Sequence, residues 1–434
     1  MTYSRTASLD STVSFLEKLA ANLPAAGTDL RANDQLRKRL LSAIQKLIPE
    51  LEIPAEACQR FLYNTLELPA ARIAVDLNIF NLLKESPTPL STEELAKLSG
   101  KNPDTKLLSR ILRYLASLSF IREVDTGVWA ASHLGNNLSG EGQSAGVANM
   151  VDNCAIAMVT LPDFLRRHGY KAPEDKSDTA FAQGNRVTPE EPTVFDWLKT
   201  RPENARNFNV FMTSHRTGTK TWLDRPEVIK EITDAFKKVT AGKEGGEQKG
   251  VSFVDIGGGI GHQCKAFKSQ VPDLKGKIVL EDLEEVVANA ELEEGIEKIG
   301  LDFLKGQPVK ARLTEAAQVP HPIISGAFCE GLTHSSYSTE DWSDQYARPI
   351  LGYVRDAMDK DSLLLIDELV LPDRGAHRYE TQLDLAMLAM LNAEARTEAH
   401  WKQLLAGVGF EVKDIVFYEE EAREAIIIAK KVAS

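Results

Sequence analysis

From Val251 onward the chain alternates short β-rich apolar runs with stretches of helical spacing. The runs are "VSFVDIG", "GKIVLED", "ISGAFCEGL", "SLLLIDELVLP", "EVKDIVFYE" and "AIIIAKKV". Continuous apolar strands are buried on both faces, and strands separated by helix-length crossovers pair in parallel. This half therefore reads as an α/β domain whose largely parallel sheet is covered by helices on both sides.

The region upstream reads as helical. In "LSTEELAKLSG", Ser91 followed three residues later by Glu94 is a capping box, and Leu95 and Leu98 begin an apolar face. Leu107, Leu108, Ile111, Leu112, Leu115 and Leu118 recur at helical spacing in the next segment, and "FIREV" and "GVWAA" flank a turn at Asp125, Thr126 and Gly127. Two helices followed by a hairpin make a winged-helix pattern. Lys106, Arg110 and Arg113 stand on its second helix, but the net charge of −12 opposes a polyanionic partner, so packing or dimerisation is the expected role and nucleic acid is not. The region carries more apolar helix than one small domain needs, which predicts a homodimer. A loop over 169–192, rich in Pro, Gly and Asp, reads as irregular, and "KEGGEQKG" at 243–250 as a linker. The division is then 1–135, a helical and winged-helix dimerisation domain; 136–245, a helical pocket-lining region; and 246–434, the α/β domain.

With 434 residues the chain is long enough for two or three cores. No apolar run approaches the ~20 residues of a membrane span, and the start lacks the basic and apolar regions of a secretory signal. A cytoplasmic protein with no membrane partner is the expectation. Cys58, Cys154, Cys264 and Cys329 are far apart with no CxxC pair, so they are expected to be reduced and buried, with no metal site.

In "VSFVDIGGGIGHQCKAF", Gly257, Gly258, Gly259 and Gly261 follow a strand and precede a helix. Glycine lets backbone turn sharply and approach a ligand, and the helix start offers free N–H groups. The next strand ends in Glu281 and Asp282, where a carboxylate can accept from ribose hydroxyls. Asp302 and Phe303, at the following strand end, supply a polar group and an aromatic face suited to adenine. Three features in order at successive strand ends predict a nucleoside-bearing cofactor.

"VDIGGGIG", "EDLEEVV", "DFLKGQPVK", "DWSDQYARPIL" and "LLLIDELVLP", with the winged helix upstream, resemble the plant and fungal small-molecule O-methyltransferases of the caffeic-acid type. The resemblance covers the chain from about residue 60. It implies a class I, Rossmann-like methyltransferase domain that binds S-adenosylmethionine (SAM), with a small-molecule acceptor held between it and an N-terminal dimerisation domain. Gly257, Gly259 and Asp282 would hold the methionine and ribose, and Asp302 and Phe303 the adenosine.

The family places a histidine before Asp and Trp, as "HDWSDE", to take the acceptor's proton; here the segment reads "EDWSDQ". Counting without gaps back from Glu368 in "LLLIDE" puts Glu340 at the base position and Asp341 beside it. An alternative register makes His334 the base, with six residues inserted after it. Of the family's two flanking glutamates, Glu368 matches one, while "NAEART" puts Ala395 at the other. A carboxylate of pKa ~4.3 is a poor base for a phenol of pKa ~10 unless burial raises it.

An intact cofactor loop beside a rebuilt centre is similar to a narrower group, the O-methyltransferase-like pericyclases of fungal 2-pyridone alkaloid pathways. That likeness implies dehydration of an alcohol to a quinone methide, closed by an Alder-ene or hetero-Diels–Alder step, with SAM bound whether or not it is consumed. His334, Tyr337 and Glu340, with Met212, His215, Arg216 and Trp222 from the helical region, are the candidate pocket residues. A working O-methyltransferase on a phenol or enol, and a catalytically silent SAM-binding protein, are the alternatives.

Overall fold

The computed structural model describes residues 10–19, 33–171, 173, 175, 177–215, 220–240, 251–272, 277–302, 305–306, 323–326, 343–358, 362–419 and 423–432. Two compact units are present, Met1–Glu67 and Leu68–Ser434.

The first unit is helical: α1 over 10–19, α2 (Asp34–Leu51) and α3 (Pro54–Tyr63). Its described residues include none that is buried. Cys58, on α3, is therefore exposed, against the expectation that every cysteine lies inside.

The second unit opens with α4 (Glu67–Asp76) and α5 (Ile79–Glu85), then the winged helix: β1 (Leu90–Ser91), α6 (Thr92–Leu98), α7 (Thr105–Ser117), β2 (Ile121–Asp125) and β3 (Val128–Ala131). The expected capping box forms, with Glu94 N–H donating to Ser91 Oγ at 3.2 Å and Ser91 N–H to Glu94 Oε2 at 2.7 Å. Leu108, Leu112 and Leu115 are buried against Trp129 and Ile121, while Leu107 faces outward, 50% exposed. The i, i+4, i+7 row is buried in the core, with Ile111 partly buried against its flank. Gly127 turns the hairpin at φ +68°.

A helical layer follows: α8 (His133–Leu138), α9 (Glu141–Asn149), a π-helical turn (Met150–Cys154), α10 (Ala155–Arg167), α11 (Ala180–Asn185), α12 (Val194–Lys199) and α13 (Pro202–His215). The run Glu141–Arg167 is long and apolar enough to cross a bilayer by length and composition, and its Ala157 and Phe164 are buried in a core of this layer. Buried Asn149 and Asn153 form an amide chain with Asn204 of α13. The 169–192 stretch expected to be irregular contains α11, capped by Thr179 Oγ1 on Ala182 N–H at 2.9 Å.

The C-terminal part contains α14 (Pro226–Thr240), β4 (Val251–Ile256), α15 (His262–Gln270), β5 (Lys277–Asp282), α16 (Glu284–Val287), β6 (Ile296–Gly300), β7 (Ile323–Gly326), α17 (Asp344–Ala357), β8 (Leu363–Leu371), α18 (Arg378–Leu391), β9 (Arg396–Thr397), α19 (Glu398–Gly407), β10 (Phe410–Glu419) and β11 (Glu424–Lys431). The sheet order is β10-β11-β8-β7-β4-β5-β6, with β9 paired to β8. Pairing is parallel from β8 to β6, and β11 and β10 add an antiparallel edge. Successive side chains go to opposite faces: Val254, Leu364 and Ile366 meet α17 and α19, and Phe253, Leu363 and Leu365 meet α14 and α15. The order reverses between β4 and β7, which opens a crevice at the carboxyl ends of the strands.

Trp222 departs from its expected place. It is fully buried in the core beneath α14 and α15, its ring 6.3 Å from that of Phe267, because the 3-10 turn Trp222–Asp224 seats α14 on the sheet. Its side chain belongs to this core.

The helical layer and α18 share one core, with Ala389 and Met390 packed among Phe164, Phe181 and Trp197. Asn392, in the left-handed conformation at the end of α18, donates through Nδ2 to the carbonyls of Asp175 at 2.9 Å and Asp178 at 2.6 Å.

Candidate active site

The glycine loop sits at the carboxyl end of β4. Gly257, Gly259 and Gly261 have φ of +73°, +60° and +83°, values that L side chains adopt only with strain. Gly258 is required for space: a Cβ there would fall 2.4 Å from Asp255 Oδ2 and 2.6 Å from Leu280 Cδ1. Gly257 N–H donates to the Glu281 carbonyl at 2.7 Å, and Gly259 N–H to Asp282 Oδ2 at 2.8 Å. Asp282 Oδ1 accepts from Leu283 N–H at 2.7 Å. The buried Asp282 carboxylate thus fixes loop and strand end together. Leu301 N–H donates to the Asp282 carbonyl at 2.7 Å, which brings Asp302 to the neighbouring strand end, paired with Lys305 at 2.9 Å. Gly257, Gly259, Asp282 and Asp302 therefore gather at the tips of β4, β5 and β6. A loop too narrow for Cβ atoms, a helix start and an acid at the next strand fit a nucleoside cofactor with an amino-acid tail.

Sequence reading missed Asp255. It lies fully buried, with Cys264 Sγ donating to its Oδ2 at 3.4 Å. The available signal was an acid inside the apolar run "VSFVDIG". Burial, reinforced by the charges of Asp282, Asp367 and Glu281 and opposed by the thiol hydrogen bond, pushes its carboxyl up to about 7. The folded chain therefore binds a proton that the unfolded chain releases near its ordinary 3.8. This group's contribution is fully present below that value and is lost as pH rises through about 7. Thermal unfolding of the ligand-free chain between pH 4.5 and 7.5 should show a decline in stability that Asp255→Asn makes shallower.

Glu368, 1% exposed, lies on β8 opposite Ala425. It follows Leu364 and Ile366 on the face that packs α17, and α17 begins just after the segment carrying the expected base. Ala395 ends in a methyl group, and its N–H donates to Asp384 Oδ1 of α18 at 2.9 Å. Its neighbour Arg396, with a fully buried side chain, donates through Nε to Asp344 Oδ1 at 3.0 Å. His400 Nε2 lies 3.2 Å from Asp344 Oδ2. Burial tends to raise the Asp344 carboxyl, but the hydrogen bonds from His400 and Arg396 and the arginine's charge outweigh it and hold it below the ordinary value. These contacts pin the start of α17 to β9 and α19. Asp344, Glu394 and His400 lie close enough to share a cation, but the Arg396 guanidinium already brings positive charge to both carboxylates. Met212 is half-buried on α13. Glu340, His334, Asp341, Tyr337, Arg216 and Phe303, and the His215 side chain, lie outside the described residues.

A seven-stranded order with an antiparallel edge, a glycine loop after the central strand and an acid closing the next one define a class I SAM-dependent methyltransferase fold. Residues 248–411 match the O-methyltransferase domain and residues 67–139 the O-methyltransferase dimerisation domain. The 16-O-methyltransferase bsc6 of Alternaria brassicicola is 31% identical over 409 residues, covering 94% of both chains, and the O-methyltransferase lepI of Aspergillus flavus is 30% identical, covering 89% of this chain and 92% of that one. The chain belongs to the O-methyltransferase family. Among solved structures, one described as a pericyclic reaction enzyme aligns with a TM-score of 0.76 and 28% identity over 96% of this chain and all of that one. A complex of LepI with SAM aligns at 0.74 and 28% over 95% and 99%.

Proposed function

We propose that this SAM-binding member of the family is a cyclase rather than a methyl donor's partner: a homodimeric enzyme that dehydrates a 2-pyridone alcohol and steers the resulting quinone methide through an Alder-ene or hetero-Diels–Alder closure. What supports it is an intact cofactor cradle beside a centre where, in the register counted without gaps, two of the family's groups are replaced. Position 340 is glutamate, and Ala395 offers only a methyl group and a backbone N–H committed to Asp384. The likeness to a pericyclic reaction enzyme supports the same reading.

Dehydration breaks the alcohol C–O bond and releases water, the proton coming from the pyridone ring; the closure then rearranges bonds with no atom gained or lost. It requires water exclusion, a fixed conformer and donors at the carbonyl, and no strong base. Gly257, Gly259, Asp282 and Asp302 would hold SAM, whose sulfonium supplies positive charge when bound. Glu368 would orient groups on the α17 side.

Incubation with a 2-pyridone alcohol should give a cyclised product of unchanged methyl count, with SAM not consumed. Omitting SAM should weaken turnover without abolishing it, and Glu340→Ala should redistribute products between competing closures. Because relatives such as bsc6 are O-methyltransferases, the competing reading is methyl transfer with His334 as base. Stoichiometric demethylated SAM with a methylated product would establish it.

A further inference from the structure

Asp255 is a fully buried carboxyl that the proposed chemistry does not use. It stands one residue before the end of β4, and its side chain lies directly beneath the cofactor loop: a Cβ at Gly258 would fall 2.4 Å from its Oδ2. That oxygen accepts from Cys264 Sγ at 3.4 Å, and Oδ1 has no hydrogen-bond partner among the described residues. The charges that bear on it most are negative: Glu281 and Asp282 from β5 and Asp367 from β8. Asp367 itself accepts from the Tyr418 hydroxyl of β10 at 2.6 Å. The residue paired with Asp255 on β7 is the neutral Ser325. From α15 come the Cys264 thiol and, at the helix start, His262, which its own burial and the charge of Lys265 hold toward the neutral form. A carboxyl sealed from water, with one weak donor and acids around it, is costly to ionise. Its upward shift to about 7, caused first by burial, agrees with that geometry.

We propose that Asp255 is protonated in the free chain and releases that proton to solvent when SAM binds, so that cofactor capture is proton-coupled and favours SAM over its demethylated product. SAM brings a sulfonium and an ammonium against a single carboxylate and is a net cation, whereas the demethylated product lacks the sulfonium and is net neutral. A cation held by the loop favours the ionised form of the acid beneath it, and away from water that attraction is weakly screened. The exchange balances: a net positive charge enters the crevice, one proton leaves it, and the charge of the buried region is unchanged. The inference holds whether the cofactor is consumed or retained.

The test is calorimetric titration of the full chain with SAM between about pH 5.5 and 6.5, in two buffers of different ionisation enthalpy, which counts the protons released. The unsubstituted chain should release ~0.5–1 proton per SAM, gain affinity by up to ~10-fold per pH unit, and release less than about half as much with the demethylated product. Asp255→Asn should still bind SAM, with the release cut to roughly a fifth or less and an affinity flat in pH. His262→Gln should keep the full count, which separates the carboxyl from the imidazole. Cys264→Ala removes the thiol donor to Asp255 and should carry the release to higher pH, an arm that stands even where Asp255→Asn does not fold. Heats that ignore the buffer in the unsubstituted chain, equal release with both ligands, full release from Asp255→Asn, or its loss in His262→Gln would each overturn the proposal.

Discussion

Replacing Asp282 with alanine should weaken SAM binding by ~100-fold or more. The carboxylate accepts from Gly259 N–H and Leu283 N–H, and a hydrogen bond to a charged group contributes ~1.5–3 kcal/mol, so losing the loop's anchor together with a ribose contact exceeds the ~2.7 kcal/mol that equals 100-fold. Asn at 282 keeps one acceptor and should fall between. Calorimetric titration with SAM and its demethylated product reads this directly, with circular dichroism confirming the fold. A change of less than threefold for Asp282→Ala would mean that the cofactor does not contact this strand end.

Trp222→Ala should cost ~3–5 kcal/mol of stability, the usual range for removing a large aromatic from a packed core. The cavity would open between α14, α15 and the sheet, beside Phe253 and Phe267. Denaturant unfolding measures it. If Trp222 lined an acceptor pocket instead, the variant would lose substrate affinity with little change in midpoint, so the two outcomes separate core from pocket.

The contrast shows what was legible. The strands at Val251, Lys277 and Leu363 could be read because their apolar runs are local, and the loop because glycine density after a strand has few other uses. The Ser91–Glu94 box is a four-residue signal and formed as read. Trp222 could not be placed, since an aromatic near His215 and Arg216 looks the same in sequence whether it faces a ligand or a sheet; tertiary packing decides. The buried acids Asp255, Glu281 and Asp367 come from three strands, and the Asp384 bond to Ala395 spans a helix end, so neither grouping has a sequence signature. Strand β6, "IEKIG", has one buried residue, Ile296, followed by intermediate and exposed ones, so it carries no apolar run, although its end is legible at Asp302. The choice between Glu340 and His334 falls on residues outside those described.

The bridge from Asn392 to the 175–178 loop, with Ala389 and Met390 set among Phe164, Phe181 and Trp197, bears on how such enzymes can be recombined. The helices that precede the cofactor loop borrow part of their interior from a helix that follows it, so they are not a cassette that can be cut out at the 243–250 segment. A chimera that exchanges acceptor preference with a relative has to carry Arg378–Asn392 along with residues 141–215 as a second graft. A single crossover would join two half-interiors that were never fitted to each other.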